Sequence, residues 1–257
     1  MKRIDAEVLA TLRASRVEGD RLFLPPGQLP RKLYERTDEV LRALGGRWCS
    51  RSRAHRFERD PSEALSKVLD DGAVATARDL GWFPTPAALA RSLVERAAVT
   101  PGARVLEPSA GEGAIVEALL CAGAEVTAIE IEPRRVERLR ARFPQVTVVE
   151  GDFLAKQPRD LGVFAAVVMN PPFSVDGLQG ADVAHVSHAL EFVRYRGALV
   201  AVMSAGAASR ETGLAPKLRA QIDELEGVIE PLPEGVFRAS GTDVRAVVAT
   251  LREVGRC

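Results

Sequence analysis

The chain has 257 residues, 46% hydrophobic and 27% charged, and its 35 Lys and Arg balance 35 Asp and Glu to a formal net charge of zero. That is the composition of a soluble globular protein with enough chain to bury a core without disulfide or metal staples. It excludes a wholly basic protein that coats nucleic acid by charge alone and leaves room for a local basic patch. The three cysteines, Cys49, Cys121 and Cys257, form no CxxC pair, which disfavours a disulfide framework and a zinc site and points to a reducing cytoplasm. The N-terminus meets acids at Asp5 and Glu7, where a signal peptide needs its apolar run. No stretch reaches the roughly 18 apolar residues of a membrane span, so neither export nor membrane insertion is expected.

In chain order, residues 1–75 read as a small α+β module. A polar helix leads to a short apolar strand at Leu22–Leu24, the turn Pro25-Pro26-Gly27, a helix from about Pro30 to Leu44 and a break at Gly45-Gly46, with a boundary near Asp71-Gly72. Between Arg47 and Arg59, the cations Arg47, Arg51, Arg53, Arg56 and Arg59 face a single acid, Glu58, and Trp48, His55 and Phe57 are interleaved with them. Such a mixture suits phosphate contacts with some stacking. The module is therefore expected to recognise nucleic acid through Arg47, Arg51, Arg53 and Arg56. A solvated Arg-rich loop, with Trp48 and Phe57 merely packing the module, is the alternative.

Residues 76–257 form the second expected domain. Thr85-Pro86 reads as an N-cap followed by proline at the first helical position, with Leu89, Leu93 and Val94 at helical spacing behind it. From Arg104 onward apolar strands alternate with amphipathic helices, the pattern of a doubly wound, mostly parallel α/β sheet. Strands are read at Arg104–Glu107, Glu125–Glu130, Val146–Val149, Ala165–Met169, Ala198–Ser204 and Val244–Leu251. Helices are read at Glu112–Ala122, Pro133–Phe143, Val183–Arg194 and Ala215–Leu225.

Ligands of such sheets sit at the carboxyl ends of the strands. The first strand runs into Glu107-Pro108-Ser109-Ala110-Gly111-Glu112-Gly113, an acid followed by a Gly-x-Gly turn that lets backbone approach a ligand. The turn is not GxGxxG and carries no P-loop lysine, which weakens nicotinamide and nucleotide-triphosphate readings. The second strand ends at Glu130, whose carboxylate can accept from both hydroxyls of a ribose, while Glu132 leads into the next helix. After the third strand, Asp152 can take an adenine amine and Phe153 can cover the ring face. Taken singly, each acid could equally be a helix cap or a solvated turn.

With acids at three successive strand ends, the sequence resembles the class I S-adenosylmethionine-dependent methyltransferases. Gly81-Trp82-Phe83-Pro84-Thr85-Pro86 is similar to the segment that, in amino-DNA methyltransferases, holds the methionine end of the cofactor. The resemblance implies a seven-stranded Rossmann-like sheet and S-adenosyl-L-methionine as cofactor, with S-adenosyl-L-homocysteine as product. Glu107 and the Gly111–Gly113 turn would face the methionine portion, Glu130 the ribose and Asp152 the adenine. The implied cofactor set is Thr85, Pro86, Glu107, Pro108, Ser109, Ala110, Gly111, Gly113, Glu130, Ile131, Asp152, Phe153 and Asn170.

The fourth strand ends in Asn170-Pro171-Pro172-Phe173. An exocyclic amine conjugated to a base ring is a poor nucleophile because its lone pair is delocalised. The Asn170 side-chain oxygen and the Pro171 carbonyl can each accept one of its hydrogens and turn the lone pair toward the methyl donor. Pro171 and Pro172 hold that carbonyl in non-helical geometry, and Phe173 offers a stacking face for a flipped base. The motif resembles that of methyltransferases acting on adenine N6, cytosine N4, guanine N2 in RNA or glutamine amides. Leu232–Phe237, followed by Arg238–Thr242, is similar to a late motif of adenine-N6 enzymes, which makes Phe237 a second stacking candidate; a core aromatic is the plain alternative. Asp182, His185 and His188 share a helix face, also similar to phage- and plasmid-type relatives; with no third ligand evident, a structural or phosphate-facing role is expected and no metal. The motif order is that of gamma-type enzymes. The reading is an adenine-N6 methyltransferase acting on DNA, with RNA methylation at adenine N6 or guanine N2 as the alternative and protein-glutamine methylation third.

Overall fold

The computed structural model describes residues 2–57, 60–74, 83–175, 178–238 and 244–254. Glu58, Arg59, Gly81, Trp82, residues 239–242 of the late motif and Cys257 lie outside the described residues. The chain divides into two compact units, Met1–Gly81 and Trp82–Cys257.

The first unit contains β1 (Lys2–Arg3), α1 (Ala6–Arg13), β2 (Arg16–Glu18), β3 (Arg21–Phe23), α2 (Arg31–Ala43), β4 (Arg47–Cys49), β5 (Ala54–Arg56), α3 (Ser62–Asp71) and β6 (Ala73–Val74). Asp5 caps α1 by accepting the Val8 N–H, and Gly72 ends α3 in the left-handed conformation that a side chain disfavours. Strands β2-β3-β5-β4 form an antiparallel sheet in that order, and β1 pairs with β6. Val8, Leu12, Leu22, Val40, Leu41, Phe57, Leu65 and Val68 make one core. The strand expected at Leu22–Leu24 runs one residue earlier. Strands β2, β4 and β5 and helix α3 were not read from sequence, because three-residue strands rich in Arg carry almost no apolar alternation.

The second unit contains α4 (Ala87–Arg96), β7 (Arg104–Glu107), α5 (Ala114–Cys121), β8 (Glu125–Glu130), α6 (Pro133–Arg142), β9 (Thr147–Glu150), α7 (Pro158–Leu161) and β10 (Phe164–Met169). There follow β11 (Ser174–Val175), β12 (Leu178–Gln179), α8 (Ala181–Ala189), β13 (Val193–Ser204), α9 (Ala205–Ser209), α10 (Ala215–Glu224), β14 (Val228–Pro231) and β15 (Ala246–Val254). Seven strands pair in the order β14-β15-β13-β10-β7-β8-β9, and β15 runs against the other six. The doubly wound, mostly parallel sheet expected from the sequence is present.

Alternation along each strand sorts the core into two layers. Val105, Val126, Ala128, Val168 and Val200 pack with Leu89 and Leu93 of α4 and Ile115 and Leu119 of α5. Leu106, Ile129, Val167, Met169 and Leu199 pack with Val183 and Val186 of α8 and Leu218 and Ile222 of α10. From β7 the chain moves outward through β8 to β9, then returns to place β10 on the other side of β7. The resulting switch point lies between the ends of β7 and β10, where Glu107 and Asn170 stand.

Boundaries moved where tertiary pairing overrode local pattern. The helix expected over Val183–Arg194 stops at Ala189, and Val193 instead pairs with Phe164 to begin a strand. Arg196 takes a left-handed conformation where the register shifts, so the strand continues past an irregularity that apolar alternation does not reveal. The seventh strand, β14, was not located from sequence because its mostly exposed Val-Ile-Glu-Pro has only two apolar residues before proline. Pro86, rather than Thr85, is the N-cap residue of α4, and it has no side-chain capping bond.

The face carrying Asp182, His185 and His188 is structural. Asp182 is fully buried, and its two oxygens accept the Val183 N–H at 2.9 Å and the Ser204 N–H at 2.7 Å, tying α8 to the end of β13. His185 Nδ1 lies 2.7 Å from the Ala181 carbonyl and His188 Nε2 2.9 Å from the Lys156 carbonyl. Among the described residues no three His, Cys, Asp or Glu side chains group as a metal site. Asp182→Ala leaves two backbone donors without their acceptor and is expected to cost about 2–3 kcal/mol, read as a lowered denaturation midpoint with an unchanged slope.

Candidate functional site

The site is built at the carboxyl ends of β7, β8, β9 and β10. The turn leaving β7 is held from within by the Ala110 N–H on the Ile129 carbonyl and the Gly113 N–H on the Ala110 carbonyl. Gly113 has φ 81°, and a Cβ there would stand 2.6 Å from the Phe143 ring and 2.8 Å from Leu139. Both the backbone and the packing of α6 therefore require glycine at that position.

Glu130, at the end of β8, closes over this turn. One carboxylate oxygen accepts the Gly111 N–H at 2.7 Å and the other the Glu132 N–H at 2.9 Å, with the Arg135 guanidinium 3.8 Å away. Each oxygen retains a further acceptor direction, so the side chain can hold the turn and still meet ligand hydroxyls. Glu132 caps α6 through the Arg134 and Arg135 N–H groups, as its place before that helix suggested.

Glu107 is 2% exposed at the end of β7, and its Oε2 is sealed without a hydrogen-bond partner. Burial first, and then the charge of Glu130, push its carboxyl well above its ordinary value of 4.5, with the Val116 N–H pulling weakly the other way. Glu107 therefore holds its proton more tightly than a carboxyl in water does. An orphaned acid beside a second acid is a site suited to a cationic ligand. That chemistry, together with the turn and Glu130, fits the sulfonium and ammonium charges and the ribose of S-adenosyl-L-methionine.

At the end of β9, Asp152 is exposed and caps a short 3-10 turn by accepting the Leu154 N–H at 2.9 Å. Phe153 departs from expectation. It is buried against His188, Phe192 and His185 at ring-centroid separations of 4.9, 5.2 and 6.0 Å, so its ring packs the core and is not offered to an adenine face. The apolar side chains in the open here are Ile131 (64% exposed), which follows Glu130, and Leu154, a residue not picked out from sequence.

Asn170 follows β10 and is buried. Its amide donates from Nδ2 to the Phe83 carbonyl at 3.3 Å and lies 3.0 Å from the Thr85 hydroxyl. A carbonyl only accepts, so this contact fixes which end of the amide is Nδ2 and turns Oδ1 the other way. Thr85 is occupied with Asn170 instead of capping α4. Among the described residues, neither Asn170 Oδ1 nor the Pro171 carbonyl accepts a hydrogen bond.

Phe173 and Phe237 come together, with centroids 6.3 Å apart and planes at 89°, and Phe83 joins them at 5.9 and 6.3 Å. Phe237 is wholly buried and Phe173 nearly so. Rings standing edge to face leave no parallel slot between them for a base. As placed, Phe237 is the core aromatic of the plainer sequence reading.

No protein-family model matches the sequence. Among curated proteins, the chain is 41% identical over 110 residues to the mycinamicin-resistance protein MyrB of Micromonospora griseorubida, covering 42% of this chain and 34% of that one. It is 37% identical over 98 residues to ribosomal RNA small subunit methyltransferase A of Thermosynechococcus vestitus, covering 37% and 36%. The match thus spans about a third of the length of these relatives. Among solved structures, a modification subunit of a putative type I restriction enzyme from Vibrio vulnificus aligns with TM-score 0.56 at 20% identity, covering 76% of this chain and 48% of that one. A putative class I S-adenosylmethionine-dependent methyltransferase from Listeria monocytogenes gives 0.53 at 13%, covering 76% and 68%. The 23S rRNA methyltransferase ErmE gives 0.51 at 25%, covering 66% and 69%.

The fold is that of the class I S-adenosylmethionine-dependent methyltransferases. The cofactor of that fold is S-adenosyl-L-methionine, and the chain holds its acids and its glycine turn at the strand ends described above. No helix among the described residues is long and apolar enough to cross a membrane.

The raised Glu107 pKa has a sign that can be checked. The folded chain holds this proton more tightly than the unfolded chain, so the stability it contributes is full below about pH 4.5 and is lost as pH rises through the folded value. Glu107→Gln, which cannot ionise, should gain Tm relative to wild type progressively as pH is raised above 5. Parallel Tm curves for the two proteins from pH 5 to 9 would show that folding does not raise the affinity of Glu107 for its proton.

Proposed function

We propose that this chain transfers a methyl group from S-adenosyl-L-methionine to the exocyclic N6 amine of adenine in RNA. The observation that carries the reading is the state of Asn170. Its donor end is committed to Phe83 and Thr85, while Oδ1 and the adjacent Pro171 carbonyl are left open as acceptors. Two acceptors facing one amine accept both of its hydrogens, withdraw its lone pair from conjugation with the ring and aim it at an electrophile. The cofactor, when bound, supplies that electrophile as a methyl group on a positively charged sulfur.

The chain's own groups do the rest. Glu130 and the Gly111–Gly113 turn hold the cofactor's ribose and methionine ends, Asp152 accepts from its adenine amine, and Ile131 and Leu154 wall the adenine ring. Asn170 and Pro171 position the acceptor amine, and the amine's surplus proton passes to water after the methyl group arrives, so no histidine or cysteine base is required. Stacking of the acceptor base on Phe173 requires that ring to turn away from Phe83 and Phe237. RNA takes precedence over the DNA expected from sequence because the relative whose name states a substrate is a ribosomal RNA methyltransferase and the 25%-identical structure is a 23S rRNA methyltransferase. The likeness to the restriction-enzyme subunit, at 20% identity, speaks for the fold alone.

Asn170→Ala is expected to lower turnover by at least a hundredfold while calorimetry finds cofactor affinity within about twofold of wild type. Retained turnover would remove Asn170 from the acceptor site. Glu130→Ala, which strips acceptors from both the Gly111 turn and the ribose, should weaken cofactor binding by about 2–3 kcal/mol. Labelled cofactor, offered with structured RNA or with duplex DNA and followed by nucleoside analysis, tests the substrate. N6-methyladenine in RNA supports the reading, and label confined to DNA, or to N2-methylguanine, overturns it.

A further inference from the structure

The first unit carries an exposed aromatic side chain that core packing does not explain. β4 is an edge strand, paired only with β5 among the described residues. Trp48, at its centre, lies opposite His55 and is 43% exposed. Its ring stands edge-on to His55 at 5.2 Å and to Tyr34 at 6.3 Å. His55 is fully buried, with Nε2 2.9 Å from one oxygen of Asp38, and the other Asp38 oxygen accepts from Arg42 at 2.7 Å. A chain of side chains from Arg42 through Asp38 to His55 thus fixes the support beneath an indole that is left in water.

The cations of this stretch are unequal. Arg56, on β5, pairs with Asp20 at 2.9 Å, and the cross-strand register puts Arg21, Arg56 and Arg47 in one row on the face opposite Trp48. His55 and Phe57 are buried, so of the three aromatic residues in this stretch only Trp48 offers a face. Arg47 on the edge strand and Arg51 and Arg53 in the β4–β5 turn are exposed and make no ion pair with any described residue. No acid occurs from Arg47 to Phe57.

We infer that this edge is a binding site for an unpaired nucleotide strand, with one base stacked on Trp48 and its phosphates on Arg51 and Arg53 of the adjoining turn. A planar ring held rigid in water gives up little entropy on stacking, and every base has a face to stack, so the contact is tolerant of sequence. A duplex hides those faces. The Arg51 and Arg53 guanidiniums, without ion-pair partners among the described residues, are available to phosphate oxygens, whereas Arg56 is paired with Asp20 and Arg47 lies on the other face. The site uses neither the cofactor nor the acceptor groups of the second unit and does not depend on the methyl-transfer reading.

The test uses the full chain without cofactor and a fluorescein-labelled 12-nucleotide mixed-sequence RNA, followed by anisotropy, beside the same sequence as single-stranded DNA and as duplex RNA. Single strands should bind more tightly than duplex; RNA and DNA strands binding alike, or either one preferred, both support a nucleotide-strand site and say which strand it serves. Trp48→Ala should weaken single-strand binding about tenfold, Trp48→Phe should restore most of it, and cofactor affinity should stay at its wild-type value. Arg51→Ala with Arg53→Ala should flatten the slope of log K against log salt by roughly 0.7 for each phosphate no longer neutralised. The inference is overturned by duplex binding equal to single-strand binding, or by a folded Trp48→Ala protein that binds as wild type. Methylation with no effect of Trp48→Ala on binding sinks this site alone; strand binding through Trp48 with no methylation sinks the methyl-transfer reading alone.

Discussion

The second unit turns on one carboxylate. Glu130 ends β8, yet its oxygens hold the Gly111 N–H of the neighbouring turn and the Glu132 N–H that begins the approach to α6. Backbone donors on a buried carboxylate form charge-assisted hydrogen bonds that fix it in place. Through that clamp the glycine turn after β7, the start of α6 and the mouth of the crevice at the switch point become one rigid body. Gly113 completes it from the other side, where Phe143 and Leu139 occupy the space a side chain would need.

The charge of Glu130 also sets the state of its neighbour. Two acids at the ends of adjacent strands, with Arg135 nearby to balance one of them, cannot both be ionised cheaply in a buried setting. Burial first, and that neighbouring charge second, raise the affinity of Glu107 for its proton, and one of its oxygens is left unsatisfied. Such a group is a cost to folding that makes sense at a place where a positively charged ligand docks. Across the switch point, the Asn170 amide is held by backbone and hydroxyl partners from the segment leading into α4, so the crevice is closed by residues far apart in sequence.

In the first unit the strand pleat separates what the sequence interleaves. Arg47 and Trp48 are neighbours in the chain but project to opposite faces, and Trp48 shares its face with His55 and Leu22. Burial claims His55 and Phe57, and Asp20 claims Arg56. An apparently uniform cluster of arginines and rings is thereby reduced to one exposed indole on an edge strand, with Arg51 and Arg53 in the adjoining turn pairing with no acid among the described residues.

Much of this protein was legible in one dimension. Apolar strands followed by Gly or acidic turns and amphipathic helices specify a parallel sheet, because β7, β8 and β10 are buried on both faces and must be nearly continuous runs of Val, Ile, Leu and Ala. The acids and the Asn-Pro-Pro-Phe segment stand at strand ends by chain order alone, so their convergence on one crevice could be anticipated. Tertiary structure decided what each of those side chains faces. It turned Phe153 and Phe237 into the core, diverted Thr85 from capping a helix to holding Asn170, and began β13 early by pairing Val193 with Phe164. Short Arg-rich strands formed because neighbouring chain offered partners. Burial, partner choice and edge exposure arise between distant segments, and no local spacing encodes them.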